Sequence, residues 1–93
     1  MSIRVAFFYF MKNDPEKIRE VVPHHIAYWK NGGFKGYMGG PFVDRTGGLI
    51  SFEAPSLAEG EAIIEKDPFI IHELLEKKWV KEWICHNAQG DLV

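Results

Sequence analysis

The chain has one cysteine, no cluster of basic residues and no apolar run long enough to cross a membrane, and each shortage removes a class of function. Cys85 alone can build neither an intrachain disulfide nor a multi-thiolate metal site, which points to a reducing compartment, the cytoplasm. Eleven Lys and Arg stand against 13 Asp and Glu, for a formal charge of -2, and the cations are scattered along the chain. The basic stripe that would neutralise phosphates is missing, so nucleic acid is not an expected partner. The apolar stretch Ile3 to Met11 is too short for a membrane span and has neither a basic leader nor a small-residue cleavage site behind it, so it reads as a buried strand. No repeat, linker or low-complexity tract interrupts the 93 residues, and that length supplies one core, hence one domain over 1–93.

What the chain does have is aromatic area. Rings make up 14% of residues within an ordinary 46% hydrophobic, 26% charged composition, and they are expected to dominate what is buried. The β-branched and aromatic run from Ile3 to Phe10 stops before the turn-forming Asn13-Asp14-Pro15, which reads as a strand and its end. Asp14 can cap a helix that begins at Pro15. Along it Ile18, Val21, Val22, His25, Ile26 and Trp29 recur at helical spacing and face a core, while Lys17, Glu20, His24 and Lys30 lie elsewhere. Pro23 predicts a kink or a fresh start, and Asn31-Gly32-Gly33 closes the segment.

Phe34 to Gly39 reads as a second strand, Gly40 to Gly47 as a loop, and Gly48 to Ala54 as a third strand. Ser56-Leu57-Ala58-Glu59 is a capping box opening a helix to about Lys66, with Pro68 disfavouring helical geometry at Asp67. A short helical piece from Ile70 to Glu76 and a final strand from Trp79 to His86 complete the chain, followed by a loosely held polar tail. The order βαββαβ predicts an α+β fold of the ferredoxin-like kind: a four-stranded antiparallel sheet with both helices on one face.

The first strand does not alternate. Ile3, Val5, Phe7 and Tyr9 point one way, and Ala6, Phe8 and Phe10 the other. Both faces of such a strand need cover, yet two helices supply one layer. An uncovered face of this kind drives association, so a homodimer packed through the open sheet face, a dimeric α+β barrel, is expected.

Chemistry has few places to sit. His25 interrupts an apolar stripe, so its imidazole points toward the sheet, either as a satisfied core histidine or as a site residue. Asp67, before Pro68, is either a turn residue whose carboxylate accepts nearby backbone amides or a site residue. Gly40-Pro41 and Gly47-Gly48 flank a segment that is a plain hairpin connection or a cover for a cleft, with Asp44 or Arg45 meeting a polar substrate group. Tyr9, Tyr28, Trp29 and Phe42 are core rings or the walls of an apolar pocket. Adjacent helix residues point about 100° apart, so His24 is a solvated neighbour and the two histidines do not share a metal. Neither a metal nor a cofactor is expected.

Taken together, Pro23-His24-His25-Ile26-Ala27-Tyr28-Trp29, Gly39-Gly40-Pro41-Phe42, Gly47-Gly48 and Asp67-Pro68-Phe69, with an aromatic strand ending near Trp83, resemble the YCII-related family over nearly the whole chain. The resemblance implies the ferredoxin-like dimeric barrel and an active-site dyad at His25 and Asp67. In such a dyad the aspartate fixes the imidazole tautomer and the free nitrogen takes or gives a proton, which suits elimination or isomerisation on a small cyclic or aromatic molecule. Phe69 and His72 join the substrate-pocket candidates. The chain departs from the family where His72-Glu73-Leu74 replaces a small pair before leucine, and where Glu82 replaces a proline before tryptophan. The rival readings are a non-catalytic dimeric module that binds or senses a small metabolite, and a cofactor-free monooxygenase, which nothing in the sequence demands.

Overall fold

The computed structural model describes residues 2–92 and has the expected element order. Strand β1 (Ile3–Met11) leads to helix α1 (Pro15–Asn31), then β2 (Met38–Pro41), β3 (Gly47–Ala54), α2 (Leu57–Ile64), the one-turn α3 (Pro68–Ile71) and β4 (Leu75–Glu82). The strands form one antiparallel sheet in the order β2-β3-β1-β4, with β1 central between β3 and β4.

The helix starts follow from the residues that cap them. Asp14 accepts the Lys17 amide ahead of Pro15, and Ser56 Oγ accepts the Glu59 amide at 3.2 Å. Glu59 returns to the serine hydroxyl at 3.1 Å rather than to its amide, so the capping box closes through the side chain. Pro23 neither restarts nor interrupts α1, which runs as one helix of 17 residues. The lost hydrogen bond is offset by the burial of Val21 and Trp29 on either side of the proline.

The helix-facing side of the sheet carries the core. Val5 and Phe7 of β1 and Ile50 and Phe52 of β3 are sealed beneath Trp29 of α1 and Ile64 of α2. The opposite face carries Phe8 stacked on Trp79 with centroids 5.0 Å apart, Phe10 against Phe42 and Trp79, and the exposed Leu49 and Met38. Arg4 lies buried on this face, where Nη1 donates to Ser51 Oγ at 3.0 Å and to the Gly36 carbonyl at 3.1 Å.

Two strands sit elsewhere than the sequence predicts. Only Met38–Pro41 pairs as β2; Phe34–Tyr37 instead forms a turn, with Gly36 in the left-handed region, that hangs on β3 through a bond from the Glu53 amide to the Lys35 carbonyl. Strand β4 begins four residues early, at Leu75. Trp83 adds one further bond to Arg4, and Ile84 and Cys85 lie beyond the strand. Among the described residues no helix is long and apolar enough to cross a membrane.

Candidate active site

Three elements converge beneath one end of the sheet. β1 presents Tyr9 on its helix-facing side, α1 presents His25 and Trp29 one helical turn apart, and the junction of α2 and α3 presents Asp67. Asp67 is the N-cap of α3 and is fully buried. Its Oδ1 accepts the Phe69 amide at 2.8 Å, its Oδ2 accepts the Trp29 indole N–H at 2.9 Å, and Oδ1 is also 2.8 Å from His25 Nδ1. A helix cap, a core indole and an imidazole thus share one carboxylate. Two N–H donors, the Phe69 amide and the Trp29 indole, already converge on it; an ionised carboxylate only accepts, and paired with that form the histidine carries its proton on Nδ1 and turns the Nε2 lone pair toward Tyr9.

The ring of His25 is held on its flat side as well. It stacks on Phe69 at 4.0 Å with planes 14° apart, and Tyr9 meets it edge-on. The Tyr9 hydroxyl lies 3.5 Å from Nε2, a long contact that leaves room for another partner. Burial first, then the charge of Asp67, then Tyr37, push the Tyr9 phenol far above its ordinary value, so it keeps its proton and can act as a donor. Tyr28 and Tyr37 are raised by the same two leading causes, burial and Asp67.

His25 and Tyr9 open onto a cavity of about 430 Å³ between α1, β2 and the start of β3. Ile18, Val22, Ile26 and Lys30 line it as an i, i+4 row along α1, and Ile50, Met11 and Phe69 complete its apolar wall. Gly48 makes the arrangement possible: a Cβ there would lie 2.5 Å from the Tyr9 hydroxyl, so any larger residue would move the phenol. Gly47 is tighter still, because its Cβ would meet the Tyr9 backbone.

Of the residues proposed from the sequence, Tyr9, His25, Gly40, Pro41 and Phe69 line the cavity, and Asp67 stands behind His25. Five others do not. Trp29 is buried in the core, reaching the site only through its bond to Asp67. Tyr28 turns away and donates its hydroxyl to the Ile63 carbonyl. Phe42 crosses to the opposite sheet face against Phe10. Asp44 is spent within its own loop, where the Thr46 amide and hydroxyl hold its carboxyl below the usual range, and His72 closes α3 in solvent.

The cavity also uses residues that the sequence reading assigned elsewhere. Lys30 is solvent-exposed, as its place off the core stripe suggests, and it also reaches the cavity rim at the end of the row from Ile18. Tyr37 enters because Phe34–Tyr37 is a turn rather than a strand, which lets its ring stack on Trp29 at 5.9 Å. Arg45, offered as one of two loop residues, is the one that lines the cavity.

The YCII-related domain model matches residues 4–84. Among solved structures the chain is similar to 5-chloro-2-hydroxyhydroquinone dehydrochlorinase (TftG) from Burkholderia phenoliruptrix, in complex with 2,5-dihydroxybenzoquinone. The two share 22% identity at a TM-score of 0.79, covering 96% of this chain and 100% of that one. It is also similar to a conserved protein from Methanosarcina mazei, at 18% identity and a TM-score of 0.59 over 89% of this chain and 91% of the other. A third, SnoaB, a cofactor-independent oxygenase from Streptomyces nogalater, gives 9% identity and a TM-score of 0.56 over 97% and 98%. No curated protein matches the chain. At these identities the solved structures establish the fold.

Proposed function

The chain belongs to the YCII-related domain family, and on that premise we propose that it is a cofactor-free acid–base enzyme acting on a small cyclic or aromatic molecule, with His25 as the proton-transferring group and Asp67 as its partner. The observation that carries this reading is the 2.8 Å contact from a fully buried Asp67 to Nδ1, on the far side of the ring from the cavity. That contact fixes the tautomer and would stabilise the imidazolium formed when Nε2 takes a proton. Tyr9, kept neutral by burial, is placed to donate a hydrogen bond where negative charge develops.

In an elimination, Nε2 would remove a proton from a ring carbon while the neighbouring carbon loses its leaving group as an anion. In an isomerisation the same nitrogen would return the proton elsewhere on the ring. The similar dehydrochlorinase favours elimination, since loss of hydrogen chloride from a ring begins with or accompanies such a proton transfer. The cavity volume supports the ring-sized substrate: a cavity of about 150 Å³ suffices for benzene, and ligand sites commonly begin near 300 Å³.

The test is incubation of the protein with chlorinated hydroquinones and small cyclic ketones in D₂O, followed by NMR. Turnover or deuterium incorporation is expected, falling by roughly 10²–10⁴ in His25→Asn. Rates untouched by that substitution would remove the acid–base role. Saturable binding with no product in either protein would favour a non-catalytic metabolite-binding module, a reading supported by the Tyr9 hydroxyl already lying beside Nε2.

Two further parts of the reading rest on the outer surface. The apolar side of the sheet, with Phe8, Phe10, Leu49 and Trp79, supports a homodimer packed face to face. A lone, half-buried Cys85 supports a reducing compartment, the cytoplasm.

A further inference from the structure

The cavity is apolar along α1 and beneath β3, yet its charged groups are of one sign. Lys30, from the last turn of α1, and Arg45, from the β2–β3 connection, are both exposed to solvent and line its rim, and no Asp or Glu lines it among the described residues. Neither cation makes an ion pair among the described residues, although the chain as a whole carries more acidic than basic side chains. The one carboxylate adjacent in sequence, Asp44, is held by the Thr46 amide at 3.1 Å and its hydroxyl at 2.7 Å, which leaves Arg45 free of it. Asp67 is turned away behind His25, with its oxygens occupied.

The backbone at Arg45 adds a second, independent observation. Its φ is 64°, in the left-handed region where glycine or asparagine is the ordinary occupant. The Phe42 carbonyl accepts its amide at 2.9 Å, and the Phe42 amide reaches the Gly47 carbonyl at 2.8 Å, so the conformation is fixed by the hairpin. A hairpin of this shape asks for glycine at that position; the chain places arginine there and directs it to the cavity. Backbone strain of this kind clusters at functional sites, and here it stands at the wall of the cavity.

We infer that Lys30 and Arg45 form an anion-binding end to this cavity, and that the ring substrate carries a carboxylate or another fixed negative group set apart from the carbon that faces His25. This rests on the proposed proton transfer for its account of the reacting end, but the recognition of charge stands on Lys30 and Arg45 alone. The apolar wall holds the ring, the cations hold its charged substituent, and the ring is thereby turned so that one edge meets Nε2 and the Tyr9 hydroxyl. The guanidinium fork suits a planar carboxylate and the ammonium supplies a second, adaptable charge.

The test compares probes that differ only in charge: 2,5-dihydroxybenzoate against 2,5-dihydroxybenzamide, titrated by calorimetry and by ¹H–¹⁵N NMR. The acid is expected to bind at least tenfold more tightly than the amide, with the preference shrinking as salt is raised from 20 to 300 mM. In Lys30→Gln with Arg45→Gly the preference should fall to about one. Arg45→Gly is chosen because glycine suits the backbone there, so its melting midpoint should be no lower than the parent's, separating loss of recognition from loss of fold. Equal binding of acid and amide, a preference that survives the double substitution, or no saturable binding of either probe would overturn the inference. His25→Asn should leave the acid–amide ratio intact, so failure of the proton-transfer reading and failure of this one give different results.

Discussion

The indole nitrogen of Trp29 donates to Oδ2 of Asp67 at 2.9 Å, so the carboxylate beside His25 is itself gripped through its other oxygen by a core residue. Trp29→Phe keeps most of the ring area packed against Phe7 and Phe52 but leaves a fully buried carboxylate oxygen without its donor. The expected loss is about 1–3 kcal/mol of unfolding free energy, read from urea midpoints at unchanged slope. A variant as stable as the parent would mean that the bond is made good by water.

Asp67→Asn tests orientation without emptying space. The amide oxygen can replace only one of the two carboxylate oxygens: in the Oδ1 place it keeps Phe69 and His25 but turns its NH₂ on the Trp29 indole N–H, and in the Oδ2 place it keeps Trp29 but turns its NH₂ on the other two, so the three bonds cannot all survive. In either placement the imidazole loses the negative charge that would stabilise its protonated form. Turnover in the assay above is expected to fall by about 10²–10⁴ while ring-sized ligands still bind, which separates a positioning role in proton transfer from a role in filling the pocket.

The architecture was legible in the sequence where burial and local chemistry agree. Asp14 and Ser56 mark helix starts, and the β-branched and aromatic run of β1 predicts a strand. The same helical period that puts Trp29 in the core puts His25 beside it, which is why the histidine could be singled out. Strand β4 was misplaced because Glu76, Lys77 and Lys78 made its first half look like surface helix or loop. On an edge strand, charge is what keeps a further strand from adding, and Lys78 finds Glu65 across the helix layer. The aromatic pair Trp79 and Trp83 drew the reading toward the far end instead. Lys30, Tyr37 and Arg45 were not legible as one group, because what brings them to one cavity is the path of two connections, Phe34–Tyr37 and Phe42–Thr46. Periodicity carries no information about those paths. Pro23 shows the same limit from the other side, since a local rule against proline in a helix gave way to the packing of the residues around it.

All three tyrosines of the chain are raised above the ordinary phenol value of 10.0, each first by burial and then by the charge of Asp67. The sign follows from proton binding: above pH 10 the unfolded chain has released phenolic protons that the folded chain retains. Stability is therefore full below about pH 10 and declines as pH rises further. The 295 nm phenolate absorbance of the native protein should lag that of the urea-unfolded chain, then rise together with loss of tertiary structure. Tyr9→Phe, which removes the most buried phenol, should shift the alkaline unfolding midpoint upward. A native titration curve overlaying the unfolded one would contradict the burial of these hydroxyls.

The open side of the sheet gives the prediction about assembly. Leu49 sits on β3 opposite Phe8, beside the stacked Phe8–Trp79 pair, and is 41% exposed in the single chain. A carboxylate there costs the isolated subunit little, because its head group reaches water. Within a face-to-face pair two such charges would be buried close to their own symmetry mates, with neither partner nor hydration, at a cost of several kcal/mol. Sedimentation at micromolar concentration should give the parent protein a mass twice 10.7 kDa and Leu49→Glu a mass near 10.7 kDa, with far-UV circular dichroism unchanged. Lys81→Glu, on the same face but at a position already charged, serves as the control and should remain paired. A parent that sediments as a single chain would leave Phe8, Phe10 and Trp79 facing water without a partner copy. It would then be the proposed pairing that fails, while the cavity on the helix side, which shares none of those three side chains, would be unaffected.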